Sequence, residues 1–374
     1  MNRHRLEVAD VFRDCGIEFF RQYGKSISVQ QHRVFRAIAT CRTKALGGHV
    51  GQCKDCGHST QAYNSCRNRH CPKCLASARY KWTDARESEL LPVPYFHVVF
   101  TIPNTIAPIA LQNPKVVYTI LFQSAWQTVR DLGRDPKYLG AKLGMLAVLH
   151  TWGQNLNHHP HVHCVVPGGG VSDDGQRWIS VKKLRTRKRF LFPVKVMSRV
   201  FRGKFIQLLK SALNDGKLSF HKKLSHLKNS FAFESHLNHA VAKDWVVYCK
   251  RPFGGPKQVL KYLARYTHRV AIANSRLVSL NRGQVAFRWK DYGDNNSNKV
   301  MKLDGSEFIR RFLMHVLPSG YVRIRHYGFL KLLLSDNQLP DSGPIRRQPA
   351  GLSWNRTLAL LMPLLTKTLI NSNF

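Results

Sequence analysis

The 374 residues include 59 Lys and Arg against 21 Asp and Glu, a formal net charge of +38, and 43% of them are hydrophobic. That apolar share supports a buried core and excludes a disordered tail, while the charge surplus calls for a polyanionic partner, with nucleic acid the obvious one. The N-terminus lacks an apolar run of signal-peptide length, so the expected location is the cytoplasm. Thr357 to Ile370, broken by Pro363 and Lys367, is too short to span a bilayer of roughly 30 Å, so no membrane partner is expected.

Residues 6 to 40 place Leu6, Val11, Phe12, Ile17, Phe19 and Phe20, then Val29, Val34, Phe35 and Ile38, at helical spacing, which predicts two or three short helices. Next come Cys53, Cys56, Cys66, Cys71 and Cys74, five of the nine cysteines within 22 residues. In a reducing compartment such crowding points to metal rather than disulfides. Cys53-x-x-Cys56 and Cys71-x-x-Cys74 read as two knuckles closing a tetrahedral structural Zn2+ site, with Cys66 and His70 as alternates for one ligand or parts of a second site. Arg67, Arg69, Lys73, Arg79, Tyr80, Lys81 and Trp82 surround them with cations and aromatics suited to phosphates and bases, the make-up of a DNA-docking module.

Pro92 and Pro94 mark a boundary, after which Tyr95 to Ile102 reads as a buried strand and residues 114 to 132 as a helix. Leu143 to Trp152 and Val162 to Val166 are the next strands, and Gly168 to Gly170 turns the chain away. A basic run, residues 182 to 189, opens an inserted helical segment reaching about residue 243. Asp244 to Cys249 is strand-like, Pro256 to Arg269 helical, and Leu277 to Arg288 a hairpin over Asn281-Arg-Gly283. A helix from Asp304 to Leu317, capped by Asp304 or Ser306, precedes a strand at Tyr321 to Arg325, and a terminal helix starts near Ser353. The expected fold class is α+β, an antiparallel sheet with helices on one face. Four regions follow: a helical segment at 1–40, the zinc-binding DNA-docking domain at 41–90, a catalytic domain at 91–330 with its basic insertion at about 182–243, and a tail at 331–374. The chain has no phosphate-binding loop, so no nucleotide cofactor is expected.

Two constellations carry chemistry. In His161-Val162-His163, strand alternation sends Val162 into a core and aims both imidazoles at one place on the opposite face, a ready metal site. In Lys261 to Arg269, Tyr262 and Tyr266 stand four apart and therefore share one side of a helix. A phenol with a pKa of about 10 is a poor nucleophile at neutral pH, so it needs a divalent ion to polarise the phosphodiester it attacks. Attack would leave tyrosine on a 5′ phosphate and free a 3′ hydroxyl. Because the new bond is itself a phosphodiester, rejoining needs no ATP.

The His-Val-His strand, the Tyr-x-x-x-Tyr helix about a hundred residues later and the N-terminal cysteine module together resemble the two-tyrosine HUH transposases of the IS ninety-one-like insertion sequences. The similarity runs from about residue 40 to 330, through Asn64 to Cys74, Trp152 to Asn155 with His159 to His163, Tyr262 to Arg269, and His315 to Pro318 with Arg323 to Tyr327. The resemblance implies an HUH endonuclease core of ferredoxin- or RRM-like type and rolling-circle-like transposition, in which single-stranded element ends are nicked and passed to a target. It also implies Mg2+ or Mn2+ on His161, His163 and a third ligand, for which Gln154 is placed and His159 competes. Arg265, Arg269, Arg323 and Arg325 are expected to track DNA. Two other readings share parts of this pattern: a rolling-circle replication initiator or relaxase with the same chemistry, and a zinc-dependent DNA-binding regulator that cleaves nothing.

Overall fold

The computed structural model describes residues 6–76, 80, 91–181, 191–250, 258 and 271–331. Three helices open the chain: α1 (Val8–Asp14), α2 (Gly16–Tyr23) and α3 (Val29–Ala39). A hairpin of β1 (Gly48–Gln52) and β2 (Ser59–Tyr63) follows, then β3 (Tyr95–Thr101), α4 (Ala107–Gln112), α5 (Pro114–Arg134), β4 (Gly144–Trp152) and β5 (His158–Pro167). After these come β6 (Gly169–Val171), β7 (Trp178–Ser180), α6 (Val194–Asn214), α7 (Ser230–Val241) and β8 (Val247–Lys250). The described chain ends with β9 (Leu277–Asn281), β10 (Gln284–Asp291), β11 (Ser297–Asp304), α8 (Gly305–Leu313) and β12 (Ile324–Gly328). The basic run at 182–189, the terminal helix and, residue 258 aside, the helix expected at 256–269 lie outside the described residues.

By contact the chain divides into two compact units. The first joins the N-terminal helices to the β9–β11 meander and α8 through one apolar core containing Val11, Phe12, Phe19, Val34, Phe35, Phe287, Phe308 and Phe312. Ser28 starts α3 with a reciprocal capping box: its hydroxyl accepts from Gln31 N–H and the Gln31 side chain accepts from Ser28 N–H, which satisfies two otherwise unpaired donors. The hairpin turn predicted at Asn281-Arg-Gly283 is present, with positive φ of 47° at Arg282 and 78° at Gly283, the backbone a two-residue turn between right-twisted strands requires. Cys41 and Cys71 are also members of this core, so the cysteine segment and the N-terminal helices are packed together.

The second unit is built on a five-stranded sheet in the order β12-β4-β5-β3-β8. Its registers place Phe96, Val98 and Phe100 of β3 opposite Val166, Cys164 and Val162 of β5. All six are buried, and Phe100 meets Phe201 of α6 at 4.9 Å between ring centroids, so this face is the one covered by helix. Helices α5 and α6 pack on each other, as the expected arrangement of helices on one sheet face requires. The structure adds two hairpins, β1–β2 and β6–β7, and the strand β11 to the expected elements. Strand β12 begins at Ile324, three residues later than predicted.

Gly305 explains why α8 starts with glycine. A Cβ there would lie within overlap distance of Cys15 Sγ and 2.6 Å from Cys15 Cβ. Gly305→Ala should therefore destabilise the first unit by about 1–3 kcal/mol, as overpacking of a filled core does. A urea denaturation midpoint unchanged from the parent protein would refute this account.

Candidate metal centres

Strand β5 sorts its side chains as the alternation predicts. Val162 and Cys164 are fully buried on the helix-covered face, while His161 and His163 occupy the other, their ring centroids 5.0 Å apart. Residues of β3 on that same face are set by the register: Thr101 lies opposite His161, Val99 opposite His163, and His97 opposite Val165. His97 is thus a diagonal neighbour of His163, and its Nε2 lies 2.9 Å from His163 Nδ1. Burial, with Lys250 adding to it, holds the His97 pKa down at about 4, so this ring is neutral near pH 7.

A third imidazole comes from the neighbouring strand. Ligand atoms of His150 on β4 and of His161 and His163 on β5 all lie within 4.8 Å of one another, and His150 and His163 are buried. Gln154, expected as the third ligand, is elsewhere. It stands beyond the end of β4, in a loop closed by Gly153 N–H donating to Asn157 C=O, and its amide donates to the Tyr292 hydroxyl at 3.4 Å. The Gln154 main-chain carbonyl accepts from Arg276 and that of Asn155 from Arg311, so cations pin this loop. His159 shares the alternation of His161 but lies outside the three-histidine group. Sequence reasoning passed over His150, although the predicted strand 143–152 contained it.

His315, in a segment singled out from the sequence, supports the same loop. Its Nε2 is 3.1 Å from the Leu156 carbonyl, which only accepts, so the ring proton sits on Nε2 and Nδ1 accepts from the Thr151 hydroxyl at 3.2 Å. Burial, then the neighbouring His158, lowers its pKa to about 3.

The cysteines assemble differently from their spacing. Cys41, Cys66, Cys71 and Cys74 form the four-thiol group, with Sγ separations of 3.7 Å for Cys41–Cys74, 3.6 Å for Cys66–Cys74 and 3.7 Å for Cys71–Cys41. A tetrahedral zinc with Zn–S bonds of ~2.3 Å has sulfur edges of about 3.8 Å, so the donor set fits this ion in both chemistry and spacing. Cys41 and Cys71 are buried among the apolar side chains of the first unit. The Cys66 thiol, with main-chain N–H groups of Cys74 and Lys73, pulls Cys71 down to about 5, while burial pushes Cys41 up to about 11. Cys53 and Cys56, expected to be ligands, are exposed at the tip of the β1–β2 hairpin, outside this group. They do form a knuckle turn, in which Gly57 N–H donates to Cys53 C=O and Cys53 N–H to His58 C=O. Their spacing described that local turn correctly but carried no information about its partners.

His70 is likewise structural. Its Nε2 accepts from Leu317 N–H at 3.2 Å, which leaves Nδ1–H to donate to Asn68 Oδ1, so neither nitrogen offers a free lone pair.

Residues 144–338, more than half of the chain, match the family described as "Putative transposase", and residues 11–102 match "Transposase zinc-binding domain". The protein called "Putative transposase y4qJ" of Sinorhizobium fredii is 53% identical over 88% of this chain and 81% of its own length. The chain belongs to the IS ninety-one-like transposases. A second relative, the transposase for insertion sequence element IS801 of Pseudomonas savastanoi pv. phaseolicola, is 27% identical over 81% of this chain and 71% of that protein. Among solved structures, TrwC complexed with a 27-mer DNA aligns with 46% of this chain and 71% of its own, at 12% identity and a TM-score of 0.24, which assigns no fold by itself.

In this transposase the basic residues expected on DNA divide into two groups. Arg69 donates to the carbonyls of Tyr321 and Pro318, Lys73 pairs with Glu7 at 2.8 Å, and Arg325 lies over the Phe122 ring at 4.4 Å. These three are engaged within the fold, whereas Arg67 is exposed and Arg323 half-buried. Tyr262, Arg265, Tyr266 and Arg269 lie outside the described residues. No described helix is long and apolar enough to cross a membrane.

Metal analysis of protein purified without chelator distinguishes the two cysteine groups. Cys41→Ala should lose one zinc per chain together with much of the stability of the first unit, and a Cys53→Ala, Cys56→Ala double variant should keep that zinc. The reverse pattern would return the ligand set to the sequence spacing. Acid sensitivity follows from His315. A histidine whose folded pKa is depressed contributes stability that is complete above its unfolded value of about 6.5 and is lost as pH falls toward 3. The thermal midpoint should therefore decline from pH 6.5 to pH 4, and less steeply in His315→Gln. Equal slopes for the two proteins would count against a buried neutral His315.

Proposed function

We propose that this transposase nicks and rejoins single-stranded DNA through a 5′-phosphotyrosine, with Tyr262 and Tyr266 as nucleophiles and His150, His161 and His163 as ligands of a divalent ion. The convergence of three imidazoles on the sheet face opposite the Phe100–Phe201 packing, in a member of a transposase family, carries this reading. Three imidazoles suit Mn2+ better than Mg2+, which prefers oxygen ligands. Bound there, the ion would supply Lewis-acid polarisation of the scissile phosphate.

The chain's own residues supply the rest of the step. The phenol oxygen of one tyrosine attacks phosphorus and gives up its proton, the bond from phosphorus to the 3′ oxygen breaks, and that oxygen leaves to become a 3′ hydroxyl. Reversal by a 3′ hydroxyl of a target strand re-forms a DNA phosphodiester and frees the tyrosine. No nucleotide is consumed. Two tyrosines allow a second cleavage while the first remains covalently attached, which strand transfer between an element end and a target requires. The net charge of +38 neutralises strand phosphates, and Lys54 and Arg67 are exposed cations of the cysteine segment that can contact them. Zinc on Cys41, Cys66, Cys71 and Cys74 holds the N-terminal unit together and takes no part in bond breaking.

Single-stranded oligonucleotides tiling the DNA on either side of the gene, incubated with protein and Mn2+, should yield a covalent adduct that survives denaturing electrophoresis. His161→Ala should lower adduct formation by about two orders of magnitude or more, and Tyr262→Phe with Tyr266→Phe should abolish it. An adduct undiminished in the double tyrosine variant would assign the nucleophile elsewhere. Absence of any adduct, with any strand and either metal, would leave a DNA-binding protein without this chemistry.

A further inference from the structure

The pair His97–His163 has no place in the sequence motif. The two rings are parallel to within 8°, their centroids are 5.1 Å apart, and both residues are buried, with 2% and 7% of their surface exposed. Their facing atoms, His97 Nε2 and His163 Nδ1, are 2.9 Å apart, a hydrogen-bond distance.

Such a bond admits one proton between the two nitrogens, so one ring donates and the other accepts. An imidazole that binds a metal uses an unprotonated nitrogen, and its other nitrogen then carries hydrogen. His163 has Nδ1 engaged with His97, so Nε2 is the atom left to coordinate. Hydrogen on Nδ1 of His163 then makes His97 Nε2 the acceptor. The opposite assignment would put hydrogen on Nε2 of His163 and remove the lone pair from the three-histidine group.

We propose that His97 is a positioning residue of the metal centre: by accepting from Nδ1–H of His163 it fixes that ring's tautomer and direction, presenting Nε2 to the ion. This rests on the reading of His150, His161 and His163 as a metal site. His97 does not itself coordinate, because the nitrogen it turns toward the centre already faces His163. The β3–β5 register allows β3 to supply it: Val99 is directly opposed to His163, and His97 occupies a diagonal position on the same face from which its Nε2 reaches Nδ1. Partners of this kind orient metal-bound histidines, and their loss commonly weakens metal affinity by roughly 10–100-fold.

Mn2+ titration of the full-length protein, read by electron paramagnetic resonance of the free ion, tests this without DNA or turnover. His97→Leu should raise the Mn2+ dissociation constant roughly 10–100-fold. His97→Gln, whose amide oxygen can accept from Nδ1–H, should recover part of that loss. His161→Ala is the control for the site itself. If it leaves Mn2+ binding unchanged, the metal-site reading fails. If it abolishes binding while His97→Leu and His97→Gln both bind like the parent, only the role of His97 falls. Nitrogen-15 NMR of histidine-labelled parent protein saturated with Mg2+ is independent of how the variants fold. His163, identified by the signals missing in His163→Gln, should carry its hydrogen on Nδ1. Hydrogen on Nε2 would overturn the proposal.

Discussion

Alternation of side chains along β5 is the constraint on which the candidate metal centre depends. Val162 and Cys164 are held at zero exposure by β3 and the helices behind it, and every atom packed there fixes the direction of His161 and His163 on the opposite face. Moving β5 by one residue would set the imidazoles against Phe100 and Phe201 and take Val162 and Cys164 out of that apolar packing, a change the buried side chains oppose. The helix-covered core is therefore what makes the histidine pair rigid.

The same constraint accounts for the part of the site that was legible from sequence. A His-x-His motif within a strand fixes a common face without reference to any other element, so His161 and His163 follow from local geometry alone. The third ligand does not, because it depends on which strand lies next to β5 and in which register. The family resemblance implies a third ligand for which Gln154 is placed, but β4 ends at Trp152 and the chain enters a loop pinned by Arg276, Arg311 and His315, whose contacts come from distant segments. His150 was visible as a polar residue in an otherwise apolar strand. That signal was available and unused.

The cysteines make the same point in a different element. The Cys53-x-x-Cys56 turn is set by local main-chain bonds, whereas Cys71-x-x-Cys74 leads into a helical turn that starts at Pro72. Pairing between knuckles is a tertiary property. Cys41 lies at the end of α3, and Cys66 and Cys71 reach it because the apolar faces of α1 and α3 draw this segment into one core with α8. The β1–β2 hairpin is exposed along its whole length, so no burial draws Cys53 and Cys56 toward that group. Secondary structure followed a similar division. Elements with buried apolar faces, such as β3, α5, β4 and α8, were legible, whereas β1, β2 and most of β11 are exposed and gave no hydrophobic period to read.

Charge and protonation then divide the work between surface and interior. A chain of net charge +38 attracts phosphates at long range, yet a metal centre needs neutral imidazoles with free lone pairs. Surface cations and buried histidines meet both demands because burial, which leaves the surface charge untouched, disfavours an extra proton on a ring inside the protein. His97 and His315 show this: burial and nearby basic groups hold their pKa values at about 4 and about 3, so near pH 7 they act as hydrogen-bonding frames for the centre and its loop rather than as cations. Of the arginines expected on DNA, Arg69 is engaged within the fold, as are Arg276 and Arg311. Arg69 donates to the carbonyls of Pro318 and Tyr321, Arg276 to those of Gln154 and Arg288, and Arg311 to that of Asn155 while pairing with Glu307. Counting basic residues therefore identifies the partner, but only their hydrogen bonds tell which of them remain available to touch it.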